Sequence, residues 1–197
     1  MTALLFDETE LSRKIEQLSI KGRAAFAAAC AERMLPSFAK FVTRTARGKP
    51  DALRDVLTRL WNDLVRDPMS DAEVDAQIAA CMDLIPNENG GPWVQEQAAA
   101  EDAASALAYA LRCRRSGLAK DAAWAARRCY EALDNYVINH EAIDTSIPGE
   151  EARVRSHPLV QAELGRQQRD LNELLCGEIA IISLWERSKA EAASFLP

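Results

Sequence analysis

Residues 26–41 read FAAACAERMLPSFAKF, and the fold class follows from how this stretch is read. Phe26, Cys30 and Met34 recur four apart, and Ala27 precedes Cys30 by three, the spacing of one helical face. The remaining positions up to Ala31 are almost all alanine, so neighbouring helices could approach from several sides. Pro36 has no N–H, and its ring collides with the carbonyl four residues earlier. The stretch therefore predicts a bent helix, with a short new helix after Pro36 presenting Phe38, Phe41 and Val42. Glu32 and Arg33 lie just before the break, where an ion pair is expected and where the guanidinium could serve carbonyls freed by the proline.

Working outward, the same helical grammar covers the chain. Alanine is about a sixth of the 197 residues, whereas Gly and Pro number eight each, against the roughly 14 and 10 of average usage. That length suits a single domain over 1–197. Asp7 to Glu10 resembles a capping box, followed by Leu11, Ile15 and Leu18. After the turn at Arg47 to Pro50, Leu53, Val56, Leu57, Leu60, Trp61 and Leu64 form a core stripe. Ser70-Asp71-Ala72-Glu73 is a capping box for a helix to about residue 84. IPNENGGPW, residues 85–93, reads as a loop. A long alanine-rich helix over 93–116 closes at Gly117, and a second over about 118–144 returns antiparallel to it. His157-Pro158 starts one very long helix reaching about residue 193, with Leu164, Leu171, Leu175, Ile182 and Trp185 as its stripe. The expectation is an all-α bundle of about seven or eight helices with a long C-terminal helix, and no strand or internal repeat.

Several chemistries are disfavoured. The net charge of −6 argues against a dedicated nucleic-acid binder. Charge is nonetheless uneven. Residues 62–110 carry ten acids and Arg66, while 111–128 carry Arg112, Arg114, Arg115, Lys120, Arg127 and Arg128 against Asp121. Mutual pairing of these faces is the first expectation, and a basic strip for an acidic partner the second. Five scattered cysteines without C-x-x-C suggest reduced thiols rather than a disulfide framework or zinc site. The start MTALLFDETE has no basic segment before its apolar residues, and no run reaches the roughly 18 apolar residues of a membrane span. A cytoplasmic location is expected. His140 and His157 read as solvated or capping residues. With no Glu-x-x-His and no His-x-x-x-His, neither a di-iron nor a zinc-helix site is expected. Gly90-Gly91 lacks the strand and the G-K-[ST] of a phosphate loop. Cys113, between Arg112 and Arg114, is the one thiol whose neighbours could activate it, yet those neighbours point elsewhere on a helix. No cofactor is expected.

The motif Phe26, Ala28, Glu32, Arg33, Met34, Pro36, Phe38, Phe41 resembles the YjaG-like proteins, a bacterial family of unknown function. Leu60-Trp61, Ile85-Pro86, Asp102-Ala103 with Ala106-Leu107, and Pro158, Val160, Glu163, Gln167 and Leu171 follow in the same order and nearly span the chain. The resemblance implies a compact all-helical domain and no assigned activity. His157 stands where asparagine is expected before the helix-starting proline, implying a slightly weaker cap.

Glu32, Arg33 and Asp102 remain as ligand-binding candidates. Asp102 sits among small residues in AAAEDAASALAYAL, so a buried carboxylate paired with Arg33 is expected. Glu178 interrupts the final stripe, either as an acid inside the bundle or, the favoured reading, because so long a helix rotates its apolar face there. Three readings of function follow: a non-catalytic protein-interaction or adaptor-type protein, leaning away from an enzyme; a small-molecule-binding protein or enzyme with a polar pocket around Glu32, Arg33 and Asp102; and, third, a weak nucleic-acid role through Arg112, Arg114, Arg115, Arg127 and Arg128. The first calls for another protein on a helical face, or a second copy in a homodimer. Convergence of the three residues at an open cavity favours the second.

Overall fold

In the computed structural model, residues 3–86, 92, 94–177 and 180–196 are described. Among them nine helices and no strand are found: α1 Glu8–Ile15, α2 Ile20–Thr45, α3 Ala52–Val65, α4 Asp71–Asp83, α5 Glu96–Ser116, α6 Ala119–His140, α7 Glu150–Ser156, α8 Pro158–Leu175 and α9 Ala180–Ala192. The all-α class is as expected, with a count slightly above seven or eight. The loop read over 85–93 and the expectation for Glu178 fall largely or wholly outside the described residues.

Helix α2 is the axis of the bundle. Every residue from Ala24 to Leu35 is buried, so this helix has no solvent face over three turns. It lies along α5 and also meets α9, α6, α3 and α8. Alanines on α2 and α5 supply the small side chains that close approach requires. The structure corrects the expected division at Pro36: α2 runs through the proline as one element and ends where Ala46 turns left-handed at φ 56°. Fixed packing on several sides holds the helical path across a residue that costs one backbone hydrogen bond.

The other elements follow their local chemistry. Ser70 and Glu73 form the reciprocal capping box at the start of α4. Gly117, at φ 72°, reverses the chain between α5 and α6. Arg23 ties that turn to the α1–α2 junction by donating to the carbonyls of Gly117, Leu18 and Glu16 at 2.7, 3.0 and 2.6 Å. Helix α6 stops at His140, and a short α7 begins after Gly149, itself left-handed at φ 96°. His157 caps α8 by accepting from Leu159 N at 3.2 Å.

The single long C-terminal helix is the second correction. Helix α8 ends at Leu175, and Gly177 takes φ 134°, a value that no α-helix contains. Leu175 and Ile182, expected in one core stripe, are therefore exposed, while α9 buries Ile181 and Leu184 instead. The break lets α9 lie against α2 and α3, where Trp185 stacks on Trp61 with ring centroids 5.6 Å apart.

Candidate functional site

Adjacent residues of a helix point about 100° apart, and this separates Glu32 from Arg33. Glu32 faces α3, where its Oε2 accepts from Trp61 Nε1 at 2.8 Å and its Oε1 lies 3.9 Å from Arg54. Burial pushes its carboxyl above the ordinary range, opposed by the Trp61 hydrogen bond and by Lys189 and Arg54. Arg33 faces α8 and is wholly enclosed. Its Nη1 donates to Asp170 Oδ2 at 2.8 Å and its Nη2 to Glu163 Oε1 at 3.0 Å. Burial disfavours the charged guanidinium, yet Glu163 and Asp170 outweigh it and hold Arg33 well above its usual range.

Around this pair a network ties α2, α8 and α9 together. Asp170 Oδ1 accepts from Arg169 at 3.1 Å and from Arg187 at 3.0 Å. Arg169 also donates to Glu191 at 2.6 Å, and Arg187 lies 2.7 Å from Glu173. Gln167 Nε2 donates to Glu163 Oε1 at 3.0 Å and to the carbonyl of Ala126 at 3.2 Å. Two buried thiols complete the cluster: Cys30 Sγ is 3.5 Å from Arg33 Nη2, and Cys129 donates to the carbonyl of Cys30 at 3.2 Å. Burial raises the Cys129 thiol well above its ordinary value.

Asp102 does not join this cluster. Its partner is Arg128, which donates to it at 3.2 Å, so the expected pairing with Arg33 is corrected. Helix α5 presents Asp102 toward α6, and the nearer cation there is Arg128. Burial raises the carboxyl of Asp102 to about 6 despite that bond. Arg33 likewise spends its donors on carboxylates rather than on carbonyls freed at Pro36. The basic run finds acids from the acidic half of the chain: Arg114 pairs with Asp63, Arg115 with Asp71 and Asp75, and Arg128 with Asp102.

The site residues that sequence reasoning missed are Asp170, Glu191 and Cys129, while Glu163 and Gln167 were quoted only as parts of a motif. A signal for three of them existed. Val160, Glu163, Leu164, Gln167, Asp170, Leu171 and Leu174 form one buried face of α8 at helical spacing, so polar residues interrupt an otherwise apolar stripe.

Glu32, Arg33 and Asp102 line no described cavity. An opening of about 990 Å³ lies between the N-terminal segment with α1 and the outer side of α8. Phe6, Leu11, Leu164 and Leu171 form its apolar part, with Lys14 and Gln168 among its polar residues. Gln167 belongs both to that wall and to the Arg33 cluster. No helix among the described residues is long and apolar enough to cross a membrane.

No curated protein matches the sequence. A solved structure of a DUF416 family protein from Shewanella baltica OS155 shares the fold, with a TM-score of 0.78 and 20% identity over 90% of this chain and 92% of that one. The model of the family described as protein of unknown function (DUF416) matches residues 10–193, nearly the whole chain, so this protein belongs to that family.

Proposed function

We propose that this is a non-catalytic interaction protein that receives an amphipathic helix of a partner polypeptide in the groove between α1 and α8. The observation that carries this reading is a contrast. The strongest polar chemistry, around Arg33, is closed in packing, whereas the open groove offers apolar side chains with a polar rim. Helices α1 and α8 both rest on α6, leaving a slot of the kind a further helix fills. A volume of about 990 Å³ accommodates about two turns of a helix 10–12 Å across. Leu5 and Leu175, at the edge of the groove, are 70% and 47% exposed and serve as anchors for the partner. Five free cysteines support a reducing, cytoplasmic setting for the interaction.

A photo-crosslinking residue placed at Gln168 in the cell tests this reading. The expected adduct maps to a partner segment with apolar residues at i, i+3 or i+4, and i+7, and it is lost in Leu5→Glu and Leu175→Glu variants that keep their helix content. An adduct mapping to a second copy of this chain would replace the partner by a homodimer. No adduct above that from a crosslinker at exposed Arg112 would remove the groove as a docking site.

A further inference from the structure

The Arg33 cluster also brings together two thiols and a carboxylate from distant parts of the chain. Cys30 Sγ, Cys129 Sγ and a carboxylate oxygen of Glu163 all lie within 4.8 Å of one another, and all three residues are buried. They come from three helices, α2, α6 and α8. Glu163 Oε2 is buried and accepts no hydrogen bond; its charged neighbour is Arg166 Nη1 at 3.6 Å, too long for a hydrogen bond. Two thiols and a carboxylate are the ligand types of a borderline-soft divalent cation.

We infer that Cys30, Cys129 and Glu163 form a binding site for a single Zn²⁺ ion. The charge balance is favourable. Zn²⁺ displaces one proton from each thiol, so two S–H bonds break, two S–Zn bonds form and two protons leave, with the net buried charge unchanged. Three residues are one ligand short of the four in a closed structural site. Glu163 Oε1 already accepts from Arg33 and Gln167, so Oε2 is the oxygen free to ligate, and the fourth position falls to a water. Arg33 stays anchored on Asp170 through Nη1 and keeps Nη2 beside Cys30 Sγ, where an N–H donor steadies a thiolate. Gln167, bonded to Glu163 and lining the groove, is an outer positioning residue and marks the side from which an ion arrives. Cys30 and Cys129 are 99 residues apart, so no local spacing motif announces the pair.

The test uses the full reduced chain, stripped with a chelator and titrated with Co²⁺ and Zn²⁺ alone. One equivalent of Co²⁺ is expected to bind with a thiolate-to-cobalt charge-transfer band, Zn²⁺ to displace it, and two protons to be released. Cys30→Ala and Cys129→Ala should abolish the band, whereas Cys81→Ala and Cys113→Ala, which alter the other buried thiols, should leave it. Should a Cys30 or Cys129 variant lose its helix content, Gln167→Ala decides: it should weaken Zn²⁺ binding by about 10- to 100-fold. The inference is overturned if the reduced protein takes up no stoichiometric metal, if uptake survives the Cys30 and Cys129 changes, if Gln167→Ala leaves affinity unchanged, or if the only change detected is a Cys30–Cys129 disulfide.

Discussion

Replacing Arg33 by methionine removes the cation shared by Glu163 and Asp170 while keeping similar apolar bulk. The two carboxylates are then left unequal. Asp170 still accepts from Arg169 and Arg187 at 3.1 and 3.0 Å. Glu163 keeps Gln167 at 3.0 Å and has Arg166 only at 3.6 Å. Breaking a buried pair by deleting one partner costs about 3–5 kcal/mol, a large share of the roughly 5–15 kcal/mol available to a domain. Arg33→Met should therefore fold but melt about 6–20 °C lower, at roughly 2–4 °C per kcal/mol for this size. Urea unfolding of the chelator-treated protein, followed by circular dichroism, measures the loss as a lower midpoint at unchanged slope. Because Glu163 carries most of the stranded charge, adding Glu163→Gln should recover at least half of the loss, and adding Asp170→Asn should recover little. A single-variant loss under about 1 kcal/mol, or equal rescue by the two second changes, would show that the cluster is not organised around Arg33.

Three further outcomes follow from individual groups. The carboxyl of Asp102 is raised from 3.8 to about 6 in the fold, so the folded state holds the extra proton between those values and stability falls as pH rises through that window. Asp102→Asn should thus stabilise the protein by roughly 1–3 kcal/mol at pH 7, with the gain fading toward pH 4, measured as melting temperature against pH. Ser70→Ala breaks the capping box of α4 and should cost about 1 kcal/mol in urea unfolding; no loss would mean that packing alone holds that helix start. Gly117→Ala forces a side chain into φ 72° with its Cβ 3.2 Å from Ile20, and a loss of about 1–2 kcal/mol is expected, against none if the turn can relax.

Elements written in local chemistry were legible from the sequence. The capping box at Ser70, the core stripe with Trp61 and the Gly117 reversal depend on residues within one or two turns of each other. A separate helix after Pro36 was misjudged because tertiary packing carries α2 past a residue that would divide an isolated helix. The long C-terminal helix was misjudged because an apolar spacing was continued across Gly177, whose backbone conformation overrides it. At the site, Arg33 and Glu32 stood out as charges in an alanine run. Their partners did not, since Glu163 and Asp170 are 130 and 137 residues away from Arg33, beyond the reach of any periodicity. Asp102 was expected to be a buried carboxylate in need of a cation, but which arginine reaches it depends on the rotation of α5 against α6.

Those separations also bear on how the chain is made. During synthesis α2 emerges early, with Arg33 in the middle of its apolar surface, while the carboxylates that neutralise it, Glu163, Asp170 and Glu191, are still untranslated. A core of α2, α5 and α6 cannot close on that guanidinium without burying a bare charge, so completion of the bundle waits for α8. Arrested nascent chains ending at residue 157 should accordingly remain protease-sensitive throughout α2, and chains extended past α9 should become resistant in one step. Protection of α2 in the shorter chains would show that the central helix settles before its countercharges arrive.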